Sequence, residues 1–151
     1  MEGIIIREMS ANDLPQVIAI EDQCHTTPWT SNSFEYEIRN REAVLKVVEL
    51  NERVIGYVCV RTILDMTHLL NLSVLPEFRR LGIGSMLMHG VLQTMRQLMP
   101  DRKITLEVRE SNTAAKKLYR KCGFEVTGRR KGYFKKPKED ALIMELNVAP
   151  E

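Results

Sequence analysis

The chain is poor in the features that mark the commonest special classes of protein. Its 151 residues hold three cysteines, Cys24, Cys59 and Cys122, far apart and in no C-x-x-C pattern. That argues against a disulfide framework or a cysteine-based metal site, and a reducing cytoplasm is the expected setting. The three histidines, His25, His68 and His89, are isolated from one another, so no metal site is expected. No apolar run approaches the roughly 20 residues that span a bilayer. The short Ile4-Ile5-Ile6 run follows an acidic Glu2 and precedes no small-residue cleavage site, so neither a membrane anchor nor a secretory leader is expected. There is no internal repeat, low-complexity tract or linker, and a single domain over residues 1–151 is large enough to bury a core. Charge of one sign is also scarce, at a net +2. The excess is local: Arg129, Arg130, Lys131, Lys135, Lys136 and Lys138 crowd one segment. Such a run binds phosphate in a salt-dependent, non-specific way. Apart from Tyr133 and Phe134 it lacks the interleaved aromatics of an RNA-binding platform, so no direct nucleic-acid partner is expected.

What is present is organised around residues 71–95. An apolar strand over 69–74 is stopped by Pro76, which cannot donate to a sheet ladder. The chain then turns through Arg79-Arg80-Leu81-Gly82-Ile83-Gly84. It continues as a helix with Ile83, Leu87, Met88, Val91, Leu92, Met95 and Leu98 on one face. Two glycines at a strand-to-helix turn let the backbone approach a ligand, and the first helical N–H groups point at it with the positive end of the helix dipole behind them. This is a pyrophosphate cradle. It is not a Walker A loop, because neither glycine is followed by Lys-Ser or Lys-Thr. Nor is it a dinucleotide fingerprint, because the position for a third glycine is Leu87.

Around this centre the periodicities predict a strand at 4–6, a helix at about 12–23 and a second helix over Ser31–Arg39. Strands follow at 44–50 and 54–61, around the turn residues Asn51-Glu52-Arg53. After the central helix, Lys103–Arg109 alternates as a strand. Asn112 caps a helix carrying Ala115, Leu118, Tyr119 and Cys122 on one face, which Gly123 ends. Strands at 124–127 and 141–146 are joined across the basic segment. The fold class is α/β (α+β): a mixed, mostly antiparallel sheet of six to seven strands with helices on both faces.

The R-x-x-G-x-G pattern of Arg79, Gly82 and Gly84, preceded by V-x-P and followed by an apolar helix, resembles the GNAT N-acetyltransferases. The element order agrees with their fold over nearly the whole chain. The LEVRESN run around Glu107, the N-x-x-A-x-x-L-Y-x-x-x-G-F spacing from Asn112 to Phe124, and the H-x-x-P-W loop of His25, Pro28 and Trp29 resemble the ribosomal-protein alanine N-acetyltransferases, the RimI type. The resemblance implies acetyl-CoA as co-substrate and direct transfer to the N-terminal amine of a ribosomal protein. It implies that the backbone of Leu72, Ser73 and Val74 holds the pantetheine and thioester carbonyl. Arg79, Arg80, Leu81, Gly82, Ile83, Gly84 and Ser85 would form the pyrophosphate loop, with Asn112 touching the cofactor beyond it. Glu107 would be the proton acceptor and Tyr119 the proton donor. His25, Trp29, Tyr133 and Phe134 would line the acceptor groove, with Phe134 lacking a hydroxyl.

Each of these residues also has a plainer reading. Leu72 and Val74 suit a strand core, Glu107 a solvated sheet face, Tyr119 an apolar helix face, and Pro28 with Trp29 a packed turn. Two other functions also fit: acetylation of a small amine or a protein lysine, and a non-catalytic ribosome- or RNA-associated module using the basic segment.

Overall fold

The computed structural model describes residues 3–25, 27–98 and 102–148; Glu2 and Thr26 lie outside them. Seven strands form one sheet: β1 (Ile4–Glu8), β2 (Ala43–Leu50), β3 (Arg53–Ile63), β4 (Met66–Val74), β5 (Lys103–Arg109), β6 (Glu125–Lys135) and β7 (Lys138–Asn147), in the order β1-β2-β3-β4-β5-β7-β6. Neighbours are antiparallel except β4 and β5. The helices are α1 (Leu14–Cys24), α2 (Ser31–Arg39), α3 (Ile83–Leu98) and α4 (Thr113–Lys121). None among the described residues is long and apolar enough to cross a membrane.

Local chemistry explains the elements. Asn51 and Glu52 take positive φ, 50° and 71°, in the two-residue turn between β2 and β3, which matches the right-handed twist of the flanking strands. Thr30 caps α2 by accepting from the Ser33 N–H at 3.2 Å, and Asn112 caps α4 by accepting from the Ala115 N–H at 3.1 Å. Helix α3 buries Ile83, Leu87, Met88, Val91, Leu92 and Met95. At about 1.5–3 kcal/mol each, those side chains contribute on the order of 10 kcal/mol before chain entropy is counted. Leu98, expected on the same face, is exposed at the helix end.

The largest departure from expectation is at the basic segment. The last two strands do not stop on either side of it but run through it, pairing Arg129 with Leu142, Arg130 with Ala141 and Lys135 with Lys138. Asp140 and Glu139 make this possible. Asp140 accepts from the Gly132 N–H and from Arg129, and Glu139 accepts from the Ser111 N–H and from Arg109. Both carboxyls are held below the usual range by those donors, the Gly132 and Ser111 groups first.

Sheet register assigns the two faces. A bulge in β4 leaves Leu70 unpaired, so Asn71 lies opposite Cys59 and Leu69 opposite Val60. Asn71 and Ser73 therefore share a face with Tyr57, Cys59, Arg61, Thr105 and Glu107, and α1 and α2 pack there. Leu72, Val74, Ile104 and Leu106 belong to the opposite face. There α3 places Leu87 against Gly56 and Gly84 against Leu118 of α4.

Candidate active site

The two central strands part company. β4 pairs with β5 only over Met66, Thr67 and His68, which lie opposite Lys103, Ile104 and Thr105. Beyond that, residues 69–74 keep β3 on one side and have no pairing with β5 on the other, while β5 continues against β7. A wedge opens in the sheet, walled by the backbone of Leu72, Ser73 and Val74 and by Glu107 on the diverging strand. An extended chain with amides of its own could complete the ladder there.

At the end of β4 the chain makes one 3-10 turn, Pro76–Phe78, and enters α3. Arg80 and Gly82 both have positive φ, 66° and 82°. For arginine this is an uncommon, strained conformation of the kind concentrated at ligand-binding loops. Alternating backbone handedness turns successive N–H groups to the same side, a concavity suited to an anion. The first helical bond runs from the Met86 N–H to the Gly82 carbonyl at 3.0 Å. The amides of Ile83, Gly84 and Ser85 thus precede any intrahelical acceptor, and the helix dipole adds to their pull on negative charge. Gly84 serves a second purpose, since a Cβ there would stand 3.0 Å from Leu118. Its absence brings α4, and with it Tyr119, close to the helix mouth.

The loop residues are not equivalent. Arg79 folds back, donating from Nε to the Val74 carbonyl at 3.1 Å and from Nη2 to the Cys24 thiol at 3.4 Å. It ties the end of β4 to α1 rather than presenting a free cation to a phosphate. Arg80 and Leu81 are exposed beside the cradle. Asn112 spends its Oδ1 on the cap of α4. These residues fit a pyrophosphate carrier with an extended amide-bearing arm, phosphates at the helix mouth and arm in the wedge.

Glu107 and Tyr119 approach from opposite faces. Glu107 lies on the α1–α2 face with its side chain 20% exposed, and its Oε1 is 3.7 Å from Nε of Arg130. Arg130 stands over the ring of Tyr133 at 5.7 Å, so an exposed aromatic, a guanidinium and a carboxylate form a row from the edge strand β6 across β7 to Glu107 on β5. Phe134 is different. It is held edge-on to Tyr133 and lies under the Arg109 guanidinium at 4.3 Å, which also binds the carbonyls of Lys136 and Pro137. That position fixes the tip of the hairpin. On the other face, Tyr119 is 8% exposed and edge-on to Phe124, and burial pushes its phenol up to about 12. It stays protonated over the whole working range and is a weaker acid than free tyrosine.

His25 and Trp29 sit on the loop after α1. Trp29 packs against Phe34 at 5.2 Å, and His25 Nε2 is 2.8 Å from the Ser73 hydroxyl. The loop therefore touches the splayed strand directly. Sequence reasoning passed over the group beneath it, Glu21. It accepts from the Tyr57 hydroxyl, the Asn71 amide and the Trp29 N–H. The signal was available: Glu21 stands seven residues after Leu14 and four after Val17, a charge on the apolar stripe of its helix.

Comparisons with known proteins identify the family and the fold. The model of the Acetyltransferase (GNAT) family matches residues 14–124. The [ribosomal protein bS18]-alanine N-acetyltransferase of Haemophilus influenzae is 34% identical over 143 residues, covering 93% of this chain and 96% of that one. The crystal structure of the ribosomal-protein-S18-alanine N-acetyltransferase from Escherichia coli superposes with a TM-score of 0.87 at 27% identity, over 98% of this chain and 96% of that one. Ard1 from Thermoplasma volcanium gives 0.89 at 26% identity, over 99% of both chains.

Proposed function

Because the chain belongs to the acetyltransferase (GNAT) family, we propose that it moves an acetyl group from acetyl-CoA to the α-amine of a protein N-terminus, that of an alanine on a small-subunit ribosomal protein. The observation that carries the reading is the open wedge between β4 and β5, with the N-terminus of α3 at one end and Glu107 at its wall. The acceptor class is drawn from the bS18 enzymes to which the chain is similar over more than nine-tenths of its length.

Acetyl-CoA supplies an activated thioester, and the protein supplies position and two proton sites. The amides of Ile83, Gly84 and Ser85 hold the pyrophosphate, and the backbone of 72–74 aligns the arm and the carbonyl. Glu107 accepts a proton from the acceptor ammonium, directly or through water. An α-ammonium, at about 7.7–8.0, gives it up far more readily than a lysine near 10.4, which suits a carboxylate base. The amine nitrogen bonds to the carbonyl carbon, the carbon–sulfur bond breaks, and Tyr119 returns a proton to the departing sulfur. A phenol near 12 is a poor acid for a thiol of about 8.5 in water, but the low polarity that raises the phenol also raises a thiol leaving into the same space. Direct transfer is the economical route, since burial pushes the Cys59 and Cys122 thiols up and keeps them protonated.

The test is to incubate the protein with labelled acetyl-CoA and two peptides, one beginning with alanine and one with a blocked N-terminus and an internal lysine. Label on the alanine amine is expected. Label confined to lysine would eliminate the α-amine assignment and favour the protein-lysine alternative.

A further inference from the structure

Three buried carboxylates face the α1–α2 side or its rim, and two of them have an arginine. Asp13 meets Arg7 at 2.7 Å, and Glu37 meets Arg61 at 2.8 Å. Glu21, 1% exposed, is different: its contacts are neutral donors and one imidazole. Its Oε1 accepts from the Tyr57 hydroxyl and from Asn71 Nδ2 at 3.0 Å, and lies 3.5 Å from His25 Nε2. Its Oε2 accepts from the Trp29 backbone N–H at 2.9 Å. His25 Nε2 is in turn 2.8 Å from the Ser73 hydroxyl. Two of these partners, His25 and Trp29, belong to the loop after α1. Two others, Asn71 and Ser73, flank Leu72 on the splayed end of β4.

We propose that Glu21 is the positioning residue that locks His25 and Trp29, on the loop after α1, onto the open strand and so shapes the acceptor side of the wedge. The proposal rests on the acetyl-transfer reading for its kinetic consequence, though not for its structural one. The chemistry demands a carboxylate. A carboxylate accepts at both oxygens and donates at neither, and the Tyr57 hydroxyl, the Asn71 amide and the Trp29 N–H all donate to it. A glutamine has one accepting oxygen and one NH2 group. Turned one way, its NH2 faces the Trp29 N–H; turned the other, it faces the Asn71 NH2. The first sets two donors against each other in a buried place; the second does so too unless the Asn71 amide turns over and gives up its present donor role, and the loop is the partner free to leave. Asn71 and Ser73 remain held in the sheet by pairing with Cys59 and Tyr57. The donor-side backbone at 72–74 is therefore preserved while the acceptor wall loosens.

The experiment compares wild type, Glu21→Gln, and the double variant Glu21→Gln/Asn71→Asp, in which the exchanged amide and carboxylate can again pair. Trp29 is the only tryptophan in the chain, so its emission reports the loop directly. With an alanine-starting peptide as acceptor, E21Q is expected to raise KM for the peptide by about ten- to a hundredfold, the size of effect that follows from leaving a buried donor unmatched. KM for acetyl-CoA should stay within about twofold, because uniform binding on the donor side is untouched. Trp29 emission should shift toward that of an exposed indole, and the double variant should recover part of both changes. An unchanged peptide KM with unchanged emission overturns the proposal. So does an equal rise of both KM values accompanied by global destabilisation, since that is damage to the fold alone. Should the wild type transfer no acetyl group to the peptide, the functional reading fails. The emission of E21Q and its return in the double variant still decide whether Glu21 holds the loop.

Discussion

Glu107→Gln tests the chemistry most sharply, because its consequences for rate and for stability separate. The side chain is 20% exposed and its one ion pair, 3.7 Å to a half-exposed Arg130, is of the surface kind. Removing the charge should therefore change stability by no more than about 1 kcal/mol. The rate is another matter. A positioned general base contributes about 10²–10⁴-fold, so kcat/KM for an alanine-starting peptide should fall at least a hundredfold at pH 7. The defect should also depend on pH. Without a base the variant relies on acceptor already deprotonated in solution, about a seventh of it at pH 7 for an amine near 7.8. Its residual rate should climb about tenfold per pH unit below about pH 7, more slowly above it, and level off above about pH 8, narrowing the gap to wild type. The assay is release of free thiol from acetyl-CoA over pH 6–9, with thermal unfolding followed in parallel. A variant that keeps more than about a third of the wild-type rate at pH 7 would show that Glu107 is only a solvated strand residue.

Tyr119→Phe should lower kcat by about a hundredfold, as loss of a general acid does. In an absorbance titration it should also remove a phenol that ionises near 12. Because that value is raised, the stability it contributes is complete below about 10 and is lost as pH climbs from there toward 12. Gly82→Ala meets no atom within 4 Å, so its cost is purely that of a left-handed alanine, about 1–2 kcal/mol. Calorimetry should also show weaker acetyl-CoA binding, and Gly82→Asn, which tolerates that conformation, should lose less. Asp13→Asn should cost about 1–3 kcal/mol at pH 7, because a buried carboxylate bound by Arg7 and the Ser10 N–H loses both its charge and an acceptor. The Arg7 guanidinium holds the Asp13 carboxyl below its usual range. Its contribution is therefore complete above about pH 4 and fades as pH falls further, so denaturant midpoints of variant and wild type should converge in acid.

Much of this was legible in the residues themselves. Helix Ser31–Arg39 and strand Lys103–Arg109 have the bounds that their periodicity and caps predict, and the apolar stripe of α3 is buried as far as Met95. The long hairpin of β6 and β7 was not legible. β6 is an edge strand, mostly exposed and rich in charge, so it has no apolar alternation to betray it. Its pairing depends on Asp140 and Glu139 reaching back to cations and amides elsewhere. The helix-mouth cradle could be read from two glycines and a stripe, but the folded-back course of Arg79 could not, since it is set by the Val74 carbonyl and by Cys24, 55 residues away. Glu21 was hidden for the same reason. Its partners come from the loop after α1, from β3 and from β4, and only the folded chain gathers them.

Acetyl transfer by this route requires the backbone amides at the start of α3 to grip a thioester carrier. Titration of acetyl-CoA into the folded protein in a calorimeter tests this directly. A single saturable site per chain, weakened by salt as phosphate contacts should be and weakened again in Gly82→Ala, is the predicted result. A flat thermogram from protein that unfolds cooperatively would contradict it.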